Sequence, residues 1–364
     1  MAMLRREGVS VVTGADHRPR LNIGLLNLMP DVVLAATERQ WMRLCSGCED
    51  AVSYVYPFTF DARDRSDSAQ AHIARYYDTL STVKRRGLDL LIVTGANPKS
   101  SDITHETFWQ PMVDMVAWAR QRGCPVVCSC LATHAVVKAF YGIDRVRLAH
   151  KCWGVYPHSL LEPHHPFVQD VDTGWHAPHS HMYGVTRQQL EDVGICVLAE
   201  GVEAGVYAAV SQNPLEFLFL QGHPEYDANS LLKEFKREVQ RFCDDVIPGF
   251  PRVPEHCFGD DAIETIVDFR AAVVGQERRV ARCQTSLSSS WKRTWRMHGA
   301  RLATGSLGIC SSWCTVQNVV DEATALDSLN NGYRDNGVKF RSCCFSLSPR
   351  QRPFKRSSPR VAGL

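Results

Sequence analysis

The sequence contains no apolar run long enough to cross a bilayer. Its most apolar stretches, Leu88 to Val93 and Leu215 to Leu220, are only strand-length, so no membrane role is expected. A signal-peptide pattern is missing too: Arg5 and Arg6 are followed by no apolar core, and Arg18, Pro19 and Arg20 interrupt instead. A cytoplasmic protein is expected. Neither sign of charge dominates. The 41 Lys and Arg against 39 Asp and Glu leave a formal net charge of +2, so nucleic acid is not expected as a partner. The basic cluster Lys84-Arg85-Arg86 reads as a solvated helix end. There is no internal repeat. No second CxxC accompanies Cys45-Ser46-Gly47-Cys48, so zinc finds no support there. The adjacent Cys343 and Cys344 cannot easily share one tetrahedral metal and receive no role, and no metal site is assigned. Cysteine itself is abundant, at 14 residues. In a chain with no secretory signal these are expected to be reduced thiols rather than a disulfide framework.

What is present is an ordinary globular composition. The 364 residues, 45% hydrophobic and 22% charged, are ample to bury a core. Strands are predicted over Leu21 to Leu28, Val52 to Phe58, Leu88 to Val93, Pro125 to Cys128, Ile195 to Leu198, Val206 to Val210 and Leu215 to Leu220. Helices are predicted over Thr37 to Leu44, Ser66 to Thr79, Phe108 to Arg120, Leu131 to Phe140 and Asn229 to Cys243. Strands alternating with helices imply a doubly wound, mostly parallel α/β sheet, whose site lies at the carboxyl ends of its strands. An N-terminal arm over 1–20 precedes a catalytic domain over 21–305. From about Ala271 the periodicity weakens, and the tail over 306–364, rich in Ser, Cys, Arg and Asn, reads as irregular or disordered.

Two motifs carry chemistry. Pro125-Val-Val-Cys-Ser-Cys130-Leu-Ala-Thr-His is a short apolar strand, a sharp turn and a helix, the pattern of a nucleophile elbow. A helix N-terminus favours negative charge and so a thiolate. The N–H of Leu131 is placed to hold an oxyanion. A buried structural cysteine is the commoner meaning of such a turn. Cys128 competes for the role but belongs inside the strand. The second motif is Phe217-Leu-Phe-Leu-Gln-Gly-His223-Pro-Glu225-Tyr-Asp227, in which a buried strand delivers a histidine with a carboxylate two residues on. A cysteine nucleophile needs a base, and the base needs an orienting carboxylate.

Together the two motifs resemble the plan of class I glutamine amidotransferases. Further stretches narrow the likeness: Asn27-Leu-Met-Pro30, Thr37-Glu-Arg-Gln40, Val93-Thr-Gly-Ala96, Trp109-Gln-Pro, Tyr141-Gly-Ile, Gly154-Val-Tyr, Ala177-Pro-His-Ser180 and Gly222-His-Pro-Glu-Tyr-Asp227. These resemble the homoserine O-acyltransferases of methionine biosynthesis, the O-succinyltransferase type, over roughly residues 20 to 305. The resemblance implies a glutamine amidotransferase-like fold and acyl transfer from acyl-CoA to the hydroxyl of L-homoserine, through an acyl-thioester on Cys130. It implies His223 as base, Glu225 as its partner, and Lys151, Ser180 and Arg237 as substrate-binding residues. It implies no cofactor beyond the acyl-CoA co-substrate, and a homodimer.

The departures from that family are specific. Three residues past Thr-Gly-Ala, members carry Gly with succinyl-CoA and Glu with acetyl-CoA; here Lys99 stands, and an ammonium suits the free carboxylate of a succinyl group. Ser180 is followed by His181 where members often carry Arg. Trp295-Arg-Met-His-Gly-Ala-Arg-Leu302 resembles the start of the family's last helix, but the residues beyond Leu302 do not match its continuation. Alternatives stay open: acetyl-CoA as donor, serine as acceptor, a glutamine amidotransferase-like hydrolase, or a degenerate copy. The hydrolase is disfavoured because Cys128 and Ala132 flank Cys130 where glycines are usual.

Overall fold

The apolar runs of the sequence form the centre of one nine-stranded sheet. The protein's structure, a computed structural model, describes residues 17–18, 20–47, 51–60, 64–168, 171, 174–211 and 215–274. All of them fall in one unit, Met1–Asp327. The strands are β1 (Arg20–Leu26), β2 (Val52–Phe58), β3 (Leu90–Val93), β4 (Val126–Ser129), β5 (Val146–Leu160), β6 (Gly174–Gly184), β7 (Ile195–Gly201), β8 (Gly205–Ser211) and β9 (Phe217–Leu220). The helices are α1 (Asp31–Cys45), α2 (Asp67–Tyr76), α3 (Leu80–Arg86), α4 (Trp109–Arg120), α5 (Leu131–Tyr141), α6 (Arg187–Glu191), α7 (Ser230–Cys243) and α8 (Asp260–Val273). The sheet order is β2-β1-β3-β4-β9-β8-β7-β5-β6. The first five strands in that order are parallel. The other four continue the sheet antiparallel. The expected doubly wound, mostly parallel α/β sheet is therefore present, with an antiparallel wing.

Burial on both faces explains why the central strands are apolar at every position. Leu91, Val93, Phe217 and Phe219 face one core, which Val83 of α3, Met112 and Met115 of α4 and Val136 of α5 complete. Leu90, Ile92, Leu218 and Leu220 face the other, which Trp41 and Leu44 of α1 complete. A third cluster joins Phe235 and Phe242 of α7, Phe269 of α8 and Trp153 of β5. The basic cluster ends α3, with Arg85 and Arg86 exposed, and Gly87 follows at φ 79°.

Several boundaries differ from the sequence reading. β1 stops at Leu26 because the buried Asn27 turns the chain. Its amide donates to the Leu34 carbonyl (3.0 Å) and the Tyr77 hydroxyl (2.9 Å). α1 starts at Asp31, directly after Pro30, six residues before the expected start. Ser66 to Thr79 is a shorter helix: α2 ends at Tyr76, and Thr79 caps α3 by accepting from the Thr82 N–H. The hairpin β5–β6 and helix α8 were not anticipated. Among the described residues no helix is long and apolar enough to cross a membrane. Cys124, Cys128, Cys130, Cys152, Cys196 and Cys257 are free thiols; Cys243 is disulfide-bonded, against the expectation of reduced thiols. Cys48, Cys343, Cys344, the Trp295–Leu302 segment, the 305 boundary, the tail and most of the N-terminal arm lie outside the described residues.

Gly154 shows why one motif position tolerates no side chain. The Val155 N–H donates to the Glu255 carbonyl (3.0 Å) and the Glu255 N–H to the Trp153 carbonyl (2.8 Å). This brings the Glu255 backbone so near that a Cβ on Gly154 would lie 2.2 Å from its oxygen. Gly154→Ala is expected to lower stability by roughly 1–3 kcal/mol, read as a drop in the urea midpoint. An unchanged midpoint would show that this strap yields freely.

Candidate active site

Parallel strands bring their carboxyl ends to one edge, and the motifs meet there. β3 is followed by Thr94-Gly95, β4 by Cys130 and β9 by Gln221-Gly222-His223. Cys130 sits between β4 and α5 at φ 50° and ψ −105°. A non-glycine residue there stores on the order of 1–3 kcal/mol of strain, so the surroundings must hold it. The Cys130 N–H donates to the Leu220 carbonyl (2.7 Å), and its carbonyl accepts from the Thr133 N–H (3.0 Å). The Thr133 hydroxyl reaches the carbonyls of Cys128 (2.9 Å) and Leu220 (3.2 Å). Sequence reasoning missed Thr133, although it is the N3 residue of α5, where a hydroxyl can reach the turn before the helix. Cys128 is fully buried, and burial pushes its thiol far above the ordinary range. Cys130 is the half-exposed member of the pair. The Leu131 N–H, in the first turn of α5, has no intrahelical acceptor. A Cβ on Gly95 would lie 3.7 Å from that of Cys130, so the Gly95 backbone also borders this residue.

His223 reaches the same edge. Gly222 must be glycine, because a Cβ there would lie 2.4 Å from the Tyr207 ring. The His223 N–H donates to the Pro178 carbonyl (3.0 Å). Its buried ring donates from Nδ1 to Glu225 Oε1 (2.9 Å), and the Tyr226 ring stacks on it at 4.2 Å. Nε2 is left with no geometrically formed hydrogen bond, and Cys130 is the side chain beyond Glu225 that acts on the ring. Burial opposes an imidazolium, but the Glu225 carboxylate and Cys130 outweigh it and push His223 up to about 10.

A cleft of about 180 Å³ opens over these groups, lined by Met29, Gly95, Asn97, Cys130, Ser180, His223, Tyr226, Glu234 and Arg237 among others. Helix α1 anchors its far wall: Arg43 pairs with Asp227, and Gln40 donates to the Ser230 hydroxyl (2.8 Å). Two of the expected substrate-binding residues converge on one carboxylate that sequence reasoning missed. Lys151 Nζ and the Ser180 hydroxyl both donate to Glu234 Oε1, each at 2.6 Å. Burial alone would raise the Glu234 pKa; the Lys151 ammonium outweighs it and holds the carboxyl below its usual range. Lys151 itself stands outside the cleft lining, behind Glu234, with Trp153 under its ammonium (4.1 Å). Lys99 is exposed and does not line the cleft; its N–H and that of Ser100 donate to Glu106 Oε1 (2.6 and 2.5 Å).

Behind the His223 loop, three histidines form a buried chain. His158 Nδ1 donates to the Tyr156 carbonyl (2.9 Å) and His181 Nδ1 to the Tyr183 carbonyl (2.7 Å). His179 lies between them, 3.0 Å from the Nε2 of each. Burial lowers all three, His158 and His181 to about 4 and His179 well below its ordinary value.

A cysteine on a strained strand–helix turn, facing a histidine that a carboxylate holds from behind, is the layout of an α/β cysteine enzyme. The family described as HTS: Homoserine O-succinyltransferase matches residues 1–274. The homoserine O-succinyltransferase of Methylobacter tundripaludum is 44% identical over 276 residues, 74% of this chain and 78% of that protein. That of Thiothrix nivea is 45% identical over 273 residues, 73% of this chain and 76% of that protein. The chain belongs to the homoserine O-succinyltransferase family. A solved glutamine amidotransferase from Thermotoga maritima is similar at TM-score 0.45 and 10% identity, covering 85% of this chain and 99% of that one. That likeness is too slight to decide an activity.

The His223–Glu225 pair sets a pH dependence. Because His223 is raised, its contribution to stability is complete below its unfolded pKa of about 6.5. It is lost as pH rises through about 10. Glu225→Gln is expected to bring the His223 titration down and flatten that alkaline loss, followed by urea midpoints across the neutral-to-alkaline range. An alkaline slope equal to the wild type's would contradict the pairing.

Proposed function

We propose that the chain transfers a succinyl group from succinyl-CoA to the hydroxyl of L-homoserine, in methionine biosynthesis, through a thioester on Cys130. The observation that carries the mechanism is the strained Cys130 beside a His223 that Glu225 keeps protonated. The sulfur reacts as its thiolate, with the proton held on His223. The sulfur attacks the thioester carbonyl, and the N–H groups of Leu131 and Gly95 hold the oxyanion. The carbon–sulfur bond to coenzyme A breaks, and His223 protonates the leaving thiolate. Neutral His223 then takes the hydroxyl proton of homoserine as that oxygen attacks acyl-Cys130. The ester leaves, and Cys130 and His223 return to thiolate and imidazolium. No step requires a cofactor.

The acceptor fits the wall opposite. Arg237 suits the carboxylate of an amino acid, since a guanidinium can grip both oxygens. Ser180 and Glu234 offer a hydroxyl and a carboxylate beside it. Lys151 acts through Glu234, holding that carboxylate ionised. Serine is one methylene shorter than homoserine, a difference worth only about 1–3 kcal/mol in a pocket. The working unit is a homodimer in the cytoplasm. Lys99 assists the donor rather than the acceptor, from the loop whose Asn97 lines the cleft.

Two measurements test this reading. Incubation with succinyl-CoA is expected to add one succinyl mass to the protein, mapped to Cys130 and absent in Cys130→Ala, with transfer to homoserine abolished in that variant. Transfer at a near-normal rate by Cys130→Ala would sink the nucleophile assignment. For the donor, Lys99→Glu is expected to lower kcat/KM for succinyl-CoA relative to acetyl-CoA by at least tenfold. An unchanged ratio, assayed with homoserine and serine in turn, would remove Lys99 from donor choice.

A further inference from the structure

The histidine chain behind the catalytic loop poses a problem of protons. His158 gives its Nδ1 proton to the Tyr156 carbonyl (2.9 Å), so its Nε2 can only accept. The facing His179 Nε2, 3.0 Å away, must therefore carry the proton between them, which leaves His179 Nδ1 bare. At the other end His181 gives its Nδ1 proton to the Tyr183 carbonyl (2.7 Å), so its Nε2 is bare as well. These two bare nitrogens face each other at 3.0 Å. Two lone pairs in contact in a buried site repel, and a positive charge between them, a proton or a metal ion, removes the conflict.

The third group is Cys152. In the β5–β6 register it stands directly opposite His181, and Gly154 stands opposite His179. Strand alternation puts Cys152, His179 and His181 on one face of the hairpin. Their donor atoms all lie within 4.8 Å of one another, and all three residues are buried. Two nitrogens bound at about 2.0–2.1 Å to one tetrahedral zinc stand roughly 3.3 Å apart, close to the spacing of the bare pair. The outer contacts also match a metal site, because ligating imidazoles hand their other N–H to a carbonyl or another acceptor.

We propose that Cys152 Sγ, His179 Nδ1 and His181 Nε2 form a site for a thiolate-compatible divalent cation of the zinc class. The bound ion takes the Cys152 proton's place on sulfur and leaves one tetrahedral position for a further ligand. It ties β5 to β6 beneath the active site. The His223 N–H rests on the Pro178 carbonyl, next to His179, and a Cβ on Gly222 would lie 3.1 Å from His179 Nε2. The ion therefore braces the floor of the His223 loop and is not a participant in acyl transfer. The CxxC at Cys45 gave no hint of it, because its ligands come from two strands and only meet in the hairpin.

The test uses the full chain, purified without metal-affinity resin, loaded with Zn²⁺ or Co²⁺ and dialysed. Elemental analysis is expected to find about one Zn²⁺ per chain, with retention reduced at least tenfold in Cys152→Ser and His181→Ala. The Co²⁺-loaded wild type is expected to show a thiolate-to-cobalt charge-transfer band that Cys152→Ser lacks. Circular dichroism checks that each variant folds; if either does not, the wild-type cobalt spectrum decides alone. A wild type that retains no stoichiometric metal, or whose cobalt form has no thiolate band, overturns the proposal.

Discussion

One hydrogen bond joins the two halves of the site. The Cys130 N–H donates to the Leu220 carbonyl (2.7 Å), tying the end of β4 to the end of β9. That bond and the two from the Thr133 hydroxyl fix a cysteine backbone in a region that side chains avoid. It also sets the spacing between the sulfur and His223, since both strands run parallel and end at the same edge. A slip of either strand would separate Cys130 from His223. Both strands pack against a core on each face, so a slip would have to repack both cores at once.

The wall opposite, proposed to take the acceptor, is built differently. Its groups come from the antiparallel wing and from α7, and charge rather than backbone geometry organises them. Glu234 gathers Lys151 and Ser180, and Arg237 lies three residues further along the same helix. The reacting centre is thus rigid and local, while the binding wall depends on side chains that can exchange partners when a substrate arrives. This division fits the proposed mechanism, in which two unlike molecules react in turn at one sulfur.

Much of this was legible in the residues, and the unread parts have physical reasons. The central strands announced themselves as unbroken apolar runs because helices cover both faces. Cys130 and the His223-Pro-Glu225 loop were legible because each follows such a run directly. The β5–β6 hairpin was not. One of its faces holds histidines and a cysteine, the other binding groups and Trp153, so neither apolar alternation nor an apolar run marks it. Glu234 was hidden because its partners lie 83 and 54 residues away, a separation no local pattern reports. The start of α1 was missed because Val32 and Val33 are poor helix formers, while Pro30 sets the boundary from outside.

The central claim is that one sulfur holds the acyl group between two half-reactions. Initial rates with acyl-CoA varied at several fixed homoserine concentrations test it most directly. A covalent intermediate predicts parallel double-reciprocal lines, because coenzyme A departs before homoserine binds. Lines that intersect, showing both substrates bound together before either product leaves, would contradict the account.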